Sequence, residues 1–446
     1  MITRRQFLAG AALAPLVIRG RTSAAERRPN FVFILTDDHR WDWLGCAGHP
    51  WFRSPNIDRI AREGARFTNA FVTTSLCSPS RASFLTGRYA HSHGVKDNQT
   101  PLDPSIPTFA QLLQKAGYDT AFIGKWHMDN QEGVQPGFNR WIAPKGHGDY
   151  YDPTFNIDGE YVRIPGYNTD IITKYALEWL RRPRTKPFCL ILAHKAPHGG
   201  FEPAVRHLKL YSDVEFTPRP NVYDTREGKP DYVRNAKRFE RGTEEYEALV
   251  QRVKDYSRTL AAVDESTGRV LDALKDIGVL DDTAVVFAGD NGFFFGEHGL
   301  LDKRAAYEES IRIPLLMRYP PLIPPGSLIE PMALNIDLCP TFLDLAGIEV
   351  PRGVEGRSWR PILGGARPRG WRAEFLYEYF RDAEAKKRPA IRAVRTTRWK
   401  YITYPEGGGT PELYDLAQDP LEMRNLAQDS AYGRVVAEMK SRLGRF

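Results

Sequence analysis

Asp37, Asp38, Asp290 and Asn291 offer only oxygen ligands, and no histidine or cysteine pair sits at a spacing that suits zinc. The set therefore points to a hard cation, calcium or magnesium. Such an ion would bind one oxygen of a sulfate or phosphate together with the oxygen of a nucleophile, stabilising charge as it develops. Lys125 and Lys303 supply fixed positive charge for the remaining oxygens. His127 and His198 are the candidates to move protons, because imidazole titrates nearest neutral pH. Cys77 belongs with them. In Cys77-Ser78-Pro79-Ser80-Arg81 the proline suits the first turn of a helix, and Gly87 marks its stop. The β-branched run Phe71–Ser75 reads as a strand leading into that helix, so Cys77 falls at a helix N-terminus. Free N–H groups and the helix dipole favour an anion there, and Arg81, one turn on, faces the same place.

Elements that could gather these groups are legible too. Four short apolar runs each stop at a polar cluster. Asn30–Thr36 gives way to Asp37-Asp38, and Thr120–Gly124 to Lys125-Trp126-His127. Phe188–Ala193 leads to His194 and His198, and Ala284–Gly289 to Asp290-Asn291. Near-continuous apolar strands imply burial on both faces, hence a mostly parallel sheet covered by helices. Helical patterns intervene at Ile57–Glu63, Thr108–Ala116, Asp170–Leu180 and Thr243–Ile277. Ligands of such sheets bind beyond the carboxyl ends of the strands, so all four clusters should meet on one rim. Singly, Asp-Asp caps a helix and Asp-Asn-Gly makes a turn. Their repetition at strand ends is what indicates a shared site.

Cys-x-Pro-x-Arg followed by Ala82-Ser83-Phe84-Leu85-Thr86-Gly87-Arg88 resembles the signature of the type I, formylglycine-dependent sulfatases of the alkaline phosphatase superfamily. Gly124-Lys125-Trp126-His127, Ala196-Pro197-His198, Gly289-Asp290-Asn291-Gly292 and Gly296–Arg304 are similar to that family's motifs, in the same order. So is the ending Glu412-Leu413-Tyr414-Asp415-Leu416 with Asp419-Pro420. The resemblance implies an α/β fold: a large, mostly parallel (mixed) central sheet flanked by helices on both faces, with a small C-terminal antiparallel sheet plus helix. It implies that Cys77 is oxidised to formylglycine by a maturation enzyme, and that the hydrate attacks sulfur while His198 protonates the departing alcohol. His127 would then help expel sulfate, Arg81 would hold the formylglycine oxygen, and Lys125 and Lys303 would hold sulfate. One calcium would sit on Asp37, Asp38, Asp290, Asn291 and the modified residue 77. His194 and His298 fall outside the implied catalytic set, His298 as a supporting residue.

Substrate choice is less legible. Trp141, Tyr150, Tyr151, Asp152 and Asn156 suit stacking on sugar rings, or equally the closing of a loop over the core. Gly146–Gly159 and His194–His198 resemble bacterial sulfatases acting on N-acetylglucosamine 6-sulfate and related sulfated glycans. Residues Gly199–Arg241 lack periodicity and read as an extended rim. Three functions stay open: sulfate ester hydrolysis, phosphonate or phosphodiester hydrolysis within the same superfamily, and glycan binding without catalysis. The complete set of reacting groups argues against the last.

The organisation expected is a twin-arginine leader at 1–25, a catalytic unit at 30–350 and a small subdomain at 371–446. Thr3-Arg4-Arg5-Gln6-Phe7-Leu8 precedes a 12-residue apolar stretch, Phe7–Ile18, too short to span a bilayer. Export by the twin-arginine machinery to the periplasm, without a stable membrane anchor, is the expectation. Removing the leader takes four arginines and no acid, lowering the net charge from +7 to +3. With no block of Lys and Arg, a nucleic-acid partner is not expected. The four cysteines are no disulfide framework; Cys46, Cys189 and Cys339 read as small buried hydrophobes. After a Pro/Gly/Arg-rich linker, Glu374–Phe380, Ala390–Val394 and Lys400–Tyr404 alternate like antiparallel strands, and a helix follows at about Tyr432–Leu443.

Overall fold

The computed structural model describes residues 28–128, 133–407 and 409–446. The stretch 1–25, where a twin-arginine leader is expected, therefore lies outside the described residues. No helix among the described residues is long and apolar enough to cross a membrane.

A ten-stranded mixed sheet forms the centre, in the order Ser327–Ile329, Ala65–Phe67, Leu315–Arg318, Thr283–Gly289, Asn30–Thr36, Phe188–Ala193, Asp119–Gly124, Arg140–Pro144, Thr154–Ile157, Glu160–Arg163. The five strands from Thr283–Gly289 to Arg140–Pro144 run parallel; antiparallel pairs flank them on both sides, and the edge strand Ser327–Ile329 pairs parallel to Ala65–Phe67. Alternation along Asn30–Thr36 explains why both faces are covered. Phe31, Phe33 and Leu35 pack with Ala82, Phe84, Leu85 and Phe342 from helices Cys77–Thr86 and Leu338–Leu345. Val32 and Ile34 point the other way, into Ile172, Leu177, Val263 and Val270 of helices Asn168–Leu180 and Glu244–Asp276. Full burial of each such side chain is worth about 1.5–3 kcal/mol, which fixes the register of the central strand between two apolar layers.

The strands that matter for chemistry are neighbours. Thr283–Gly289, Asn30–Thr36, Phe188–Ala193 and Asp119–Gly124 lie side by side, all parallel, so their carboxyl ends share one rim. The chain is stitched across that rim by main-chain bonds. Asp290 N donates to the Thr36 carbonyl at 2.9 Å, His194 N to Leu35 at 2.8 Å, and Lys125 N to Ala193 at 2.7 Å.

A four-stranded antiparallel sheet, Glu374–Tyr379, Ile391–Thr396, Trp399–Thr403 and Glu412–Asp415, packs with helix Gly433–Leu443. Its fourth strand is one more than the alternation pattern indicated; in Glu412-Leu413-Tyr414-Asp415 all four residues are buried, which erases the period-2 signal. The expected strand Phe71–Ser75 shrinks to Ala70–Phe71, paired with Ala333–Leu334. Beyond it, Thr73 takes other partners: its N donates to Asn335 Oδ1, and its carbonyl accepts from Glu378 N at 2.9 Å. Ser75 Oγ and the Tyr377 hydroxyl lie 2.6 Å apart. The small sheet thus props up the segment that delivers Cys77.

Candidate active site

Helix Cys77–Thr86 begins at Cys77 and ends on Gly87 in the left-handed region at φ 70°. Ser78 N donates to Asn98 Oδ1 at 3.2 Å, and Ser78 Oγ donates to the His127 carbonyl. The second bond ties the helix start to the loop after Asp119–Gly124. Gly124 is required there: its φ is 116°, and a Cβ would lie 1.9 Å from the Ala193 carbonyl oxygen. Asp38 and His127 also sit at positive φ, 59° and 52°, where side chains other than Asn, Asp or Gly are strained.

Around Cys77 the structure brings together Asp37, Asp38, Arg81, Lys125, His127, His198, Asp290, Asn291 and Lys303. Cys77 Sγ donates to Asp37 Oδ1 at 3.3 Å and accepts from Lys303 Nζ at 3.1 Å. Lys303 Nζ also reaches Asp38 Oδ1 at 2.5 Å. Arg81 forks between two acids, with Nε to Asp290 Oδ2 at 2.9 Å and Nη2 to Asp37 Oδ2 at 3.1 Å. Lys125 Nζ donates to Asp37 Oδ2. His198 Nε2 lies 3.9 Å from Asp38 Oδ2. All of these groups are buried except His198, whose side chain keeps 20% of its surface exposed and so stands at the mouth.

Carboxylate oxygens of Asp37, Asp38 and Asp290 all lie within 4.8 Å of one another. Asn291 completes this group: its Nδ2 donates to Asp38 Oδ1 at 2.6 Å, while its Oδ1 is buried with no hydrogen-bond partner. An orphaned buried acceptor beside three carboxylates is what an oxygen-liganded cation would satisfy, so the donor set fits a hard divalent ion.

The electrostatics follow from burial among mixed charges. Burial pushes the Asp37 carboxyl up, but Lys125, His198 and Arg81 outweigh it and hold it well below the usual carboxylate range. Asp38 is pushed up to about 7, first by burial and then by Asp37 and Asp290, against the pull of Lys303. Asp290 is raised by burial and by Asp37. Burial, then Asp37, pushes the Cys77 thiol up, so an unmodified Cys77 is a neutral thiol and a poor nucleophile. His127 and His198 are held far below the ordinary imidazole range by burial and then by Lys125.

His147 escaped the sequence reading. Its ring lies 3.7 Å from that of His127 and 4.1 Å from that of His198, and its Nδ1 accepts from Lys125 Nζ at 2.7 Å. Gly146 and Gly148, at φ 57° and 64°, let the loop turn it inward. A histidine flanked by two glycines was the available signal. Of the two readings of the aromatic stretch, the structure favours closure over the core for Trp141 and Tyr150, and His194 and His298 fall outside the reacting set as expected. Trp141 is 2% exposed and packs among Phe122, Trp126 and Phe138, so it cannot stack on a sugar. Tyr150 is equally buried and donates its hydroxyl to the His198 carbonyl at 2.7 Å, a positioning contact. His194 is fully buried, and neither ring nitrogen finds a partner. His298 Nδ1 pairs with Asp224 Oδ2 at 2.6 Å, a contact made outside the Cys77 cluster.

Comparison with known proteins places these observations. Residues 29–348 match the family described as Sulfatase, and residues 296–446 the family described as N-sulphoglucosamine sulphohydrolase, C-terminal. The chain is 36% identical over 477 residues to N-acetylglucosamine-6-O-sulfatase of Bacteroides thetaiotaomicron, covering 93% of this chain and 85% of that one. Among solved structures, one in complex with its substrate D-glucosamine-2-N,6-O-disulfate matches with a TM-score of 0.87 and 35% identity, over 94% and 97% of the two chains. The phosphonate monoester hydrolase of Agrobacterium radiobacter matches with a TM-score of 0.77 and 26% identity, over 94% and 95%.

Proposed function

The chain belongs to the sulfatase family of sulfuric ester hydrolases, and from that premise we propose that it removes sulfate from a sulfated glycan, with 6-O-sulfated glucosamine as the sugar. The observation that carries this reading is the buried convergence of Arg81, Lys125 and Lys303 on Cys77 and its carboxylates. Three cations face three acids, Asp37, Asp38 and Asp290. A divalent ion would leave two positive charges, which a sulfate monoester anion and one ionised oxygen nucleophile would neutralise.

A formylglycine hydrate at residue 77 would supply that nucleophile, and calcium on Asp37, Asp38, Asp290 and Asn291 would supply Lewis acidity. The chain's own residues do the rest. Arg81 locks Asp37 and Asp290 in register and keeps its positive charge beside residue 77. Lys303 and Lys125, both buried, hold the sulfate oxygens. His198, at the mouth, meets the sugar oxygen as it leaves and gives it a proton. The arriving anion raises the His198 pKa from its depressed value, by adding a negative charge to a site that Lys125 and Lys303 dominate. His127, deeper and next to the Lys125 loop, takes the proton that lets sulfate depart. His147 fixes the Lys125 ammonium and spaces the two imidazoles.

The substrate-bound structural match at 35% identity supports the choice of glucosamine 6-sulfate. Phosphonate hydrolysis is the second reading, favoured by the similarity to the Agrobacterium enzyme. Initial rates of the matured protein on glucosamine 6-sulfate, an aryl sulfate and an aryl phosphonate diester decide between them. Sulfate release should dominate, and a faster phosphonate reaction would overturn the reading. Export by the leader at 1–25, and a division into units at 30–350 and 371–446, complete the proposal.

A further inference from the structure

A second cationic feature lies outside the Cys77 cluster. A groove of about 720 Å³ opens between helix Asp231–Arg234, the Gly299–Leu301 turn and the loop after Tyr379. Lys237, Arg381, Lys386, Lys387 and Arg388 line it, with Tyr232. Asp231 is the one acid among its described lining residues, and it is already paired with Arg234. Arg381 is paired with Glu406, whereas Lys237, Lys386 and Lys387 are exposed and in no ion pair among the described residues. Arg388 is held by stacking on Tyr232, 5.0 Å from the ring centroid, and its buried Nη1 has no hydrogen-bond partner. Like charges gathered without acids repel one another, and a fixed guanidinium with a free donor suits sulfate or carboxylate.

The loops that wall the groove are tied to the Cys77 segment. Leu301 forms part of its wall, and Lys303, two residues on, reaches Cys77 Sγ. Arg304 binds Asp382 and Glu384, anchoring the start of the same loop that carries Lys386, Lys387 and Arg388. Glu384 also accepts from Asn98, which in turn accepts from Ser78 N beside Cys77. From Glu384 to Lys387 the chain spans at most about 10 Å. The cations therefore sit on a loop joined through Glu384 and Asn98 to the residue beside Cys77.

We propose that this groove is a subsite for the sulfate or carboxylate groups of neighbouring sugars, so that the preferred substrate is a polyanionic oligosaccharide rather than a single sulfated sugar. The proposal rests on the reading of the chain as a glycan sulfatase and adds the substrate class. Its test uses the full-length matured protein and a triple variant, Lys237→Gln, Lys386→Gln and Lys387→Gln. Two substrates are compared: glucosamine 6-sulfate, and a heparin-derived tetrasaccharide ending in 6-O-sulfated glucosamine. Loss of three surface charge contacts should lower kcat/KM on the tetrasaccharide about tenfold, through KM, and leave the monosaccharide unchanged. The salt dependence of the tetrasaccharide reaction should flatten, and the three Lys→Arg replacements should restore it. An unchanged ratio between the two substrates would overturn the subsite. If the parent protein releases no sulfate from either sugar, the sulfatase reading fails instead. Calorimetric binding of the same tetrasaccharide, weakened or not by the triple variant, then decides the groove on its own.

Discussion

His198→Ala separates proton donation from every other contribution of the site. The side chain is one-fifth exposed, and its only hydrogen bond among the described residues runs from Nδ1 to the Gly199 carbonyl at 3.2 Å. Truncation should therefore cost about 1 kcal/mol of stability, small against the roughly 5–15 kcal/mol of a folded domain. The variant should fold with its melting temperature nearly intact. Catalysis is another matter. Positioned general acids contribute about 10²–10⁴-fold, or roughly 3–5 kcal/mol, when the leaving group is as basic as a sugar alkoxide. A nitrophenolate leaves without a proton, so the same variant should lose less than about tenfold on 4-nitrophenyl sulfate. Steady-state kcat on both substrates reads the difference. Equal losses on the two esters would refute proton donation by His198 and leave it a binding residue at the mouth.

Two further outcomes are expected. Calcium, titrated onto chelator-treated protein, should raise the melting temperature, by about 2.7 kcal/mol of stabilisation at a hundredfold excess over Kd; Asn291→Leu should remove that shift, and a shift of the same size in the variant would exclude Asn291 as a ligand. His93 accepts from Val95 N at Nδ1 and lies 3.1 Å from Ser83 Oγ through Nε2, so burial holds it neutral, down to a pKa of about 3. Its folded-state value is depressed, so the unfolded chain alone takes up the proton as pH falls below 6.5, and by pH 5 stability should drop by about 2 kcal/mol on its account. In His93→Gln the urea midpoint should fall less between pH 7.5 and pH 5 than in the parent, and identical falls would contradict the assignment.

Much of this site could be seen in the chain before any coordinates. Asp37-Asp38, Lys125, His198 and Asp290-Asn291 each follow an apolar run, and parallel pairing of those runs leaves their ends no choice but one rim. Gly87 stopped its helix as its φ requires. Where reading failed, tertiary contacts had replaced local preference. Phe71–Ser75 has strand composition, yet beyond Phe71 its backbone is taken up by Asn335 and the C-terminal sheet. Trp141 sits in a loop-like polar stretch, but strand Arg140–Pro144 turns it into the core. His147 carries no periodic signal at all; only the glycines beside it and the three-dimensional meeting with Lys125 give it meaning.

The account depends most on what residue 77 becomes. Mass analysis of the tryptic peptide Phe67–Arg81 from active, maturation-enzyme-treated protein should show an aldehyde in place of the Cys77 thiol, in proportion to turnover on glucosamine 6-sulfate. Full activity from protein whose Cys77 is entirely unmodified would contradict the account.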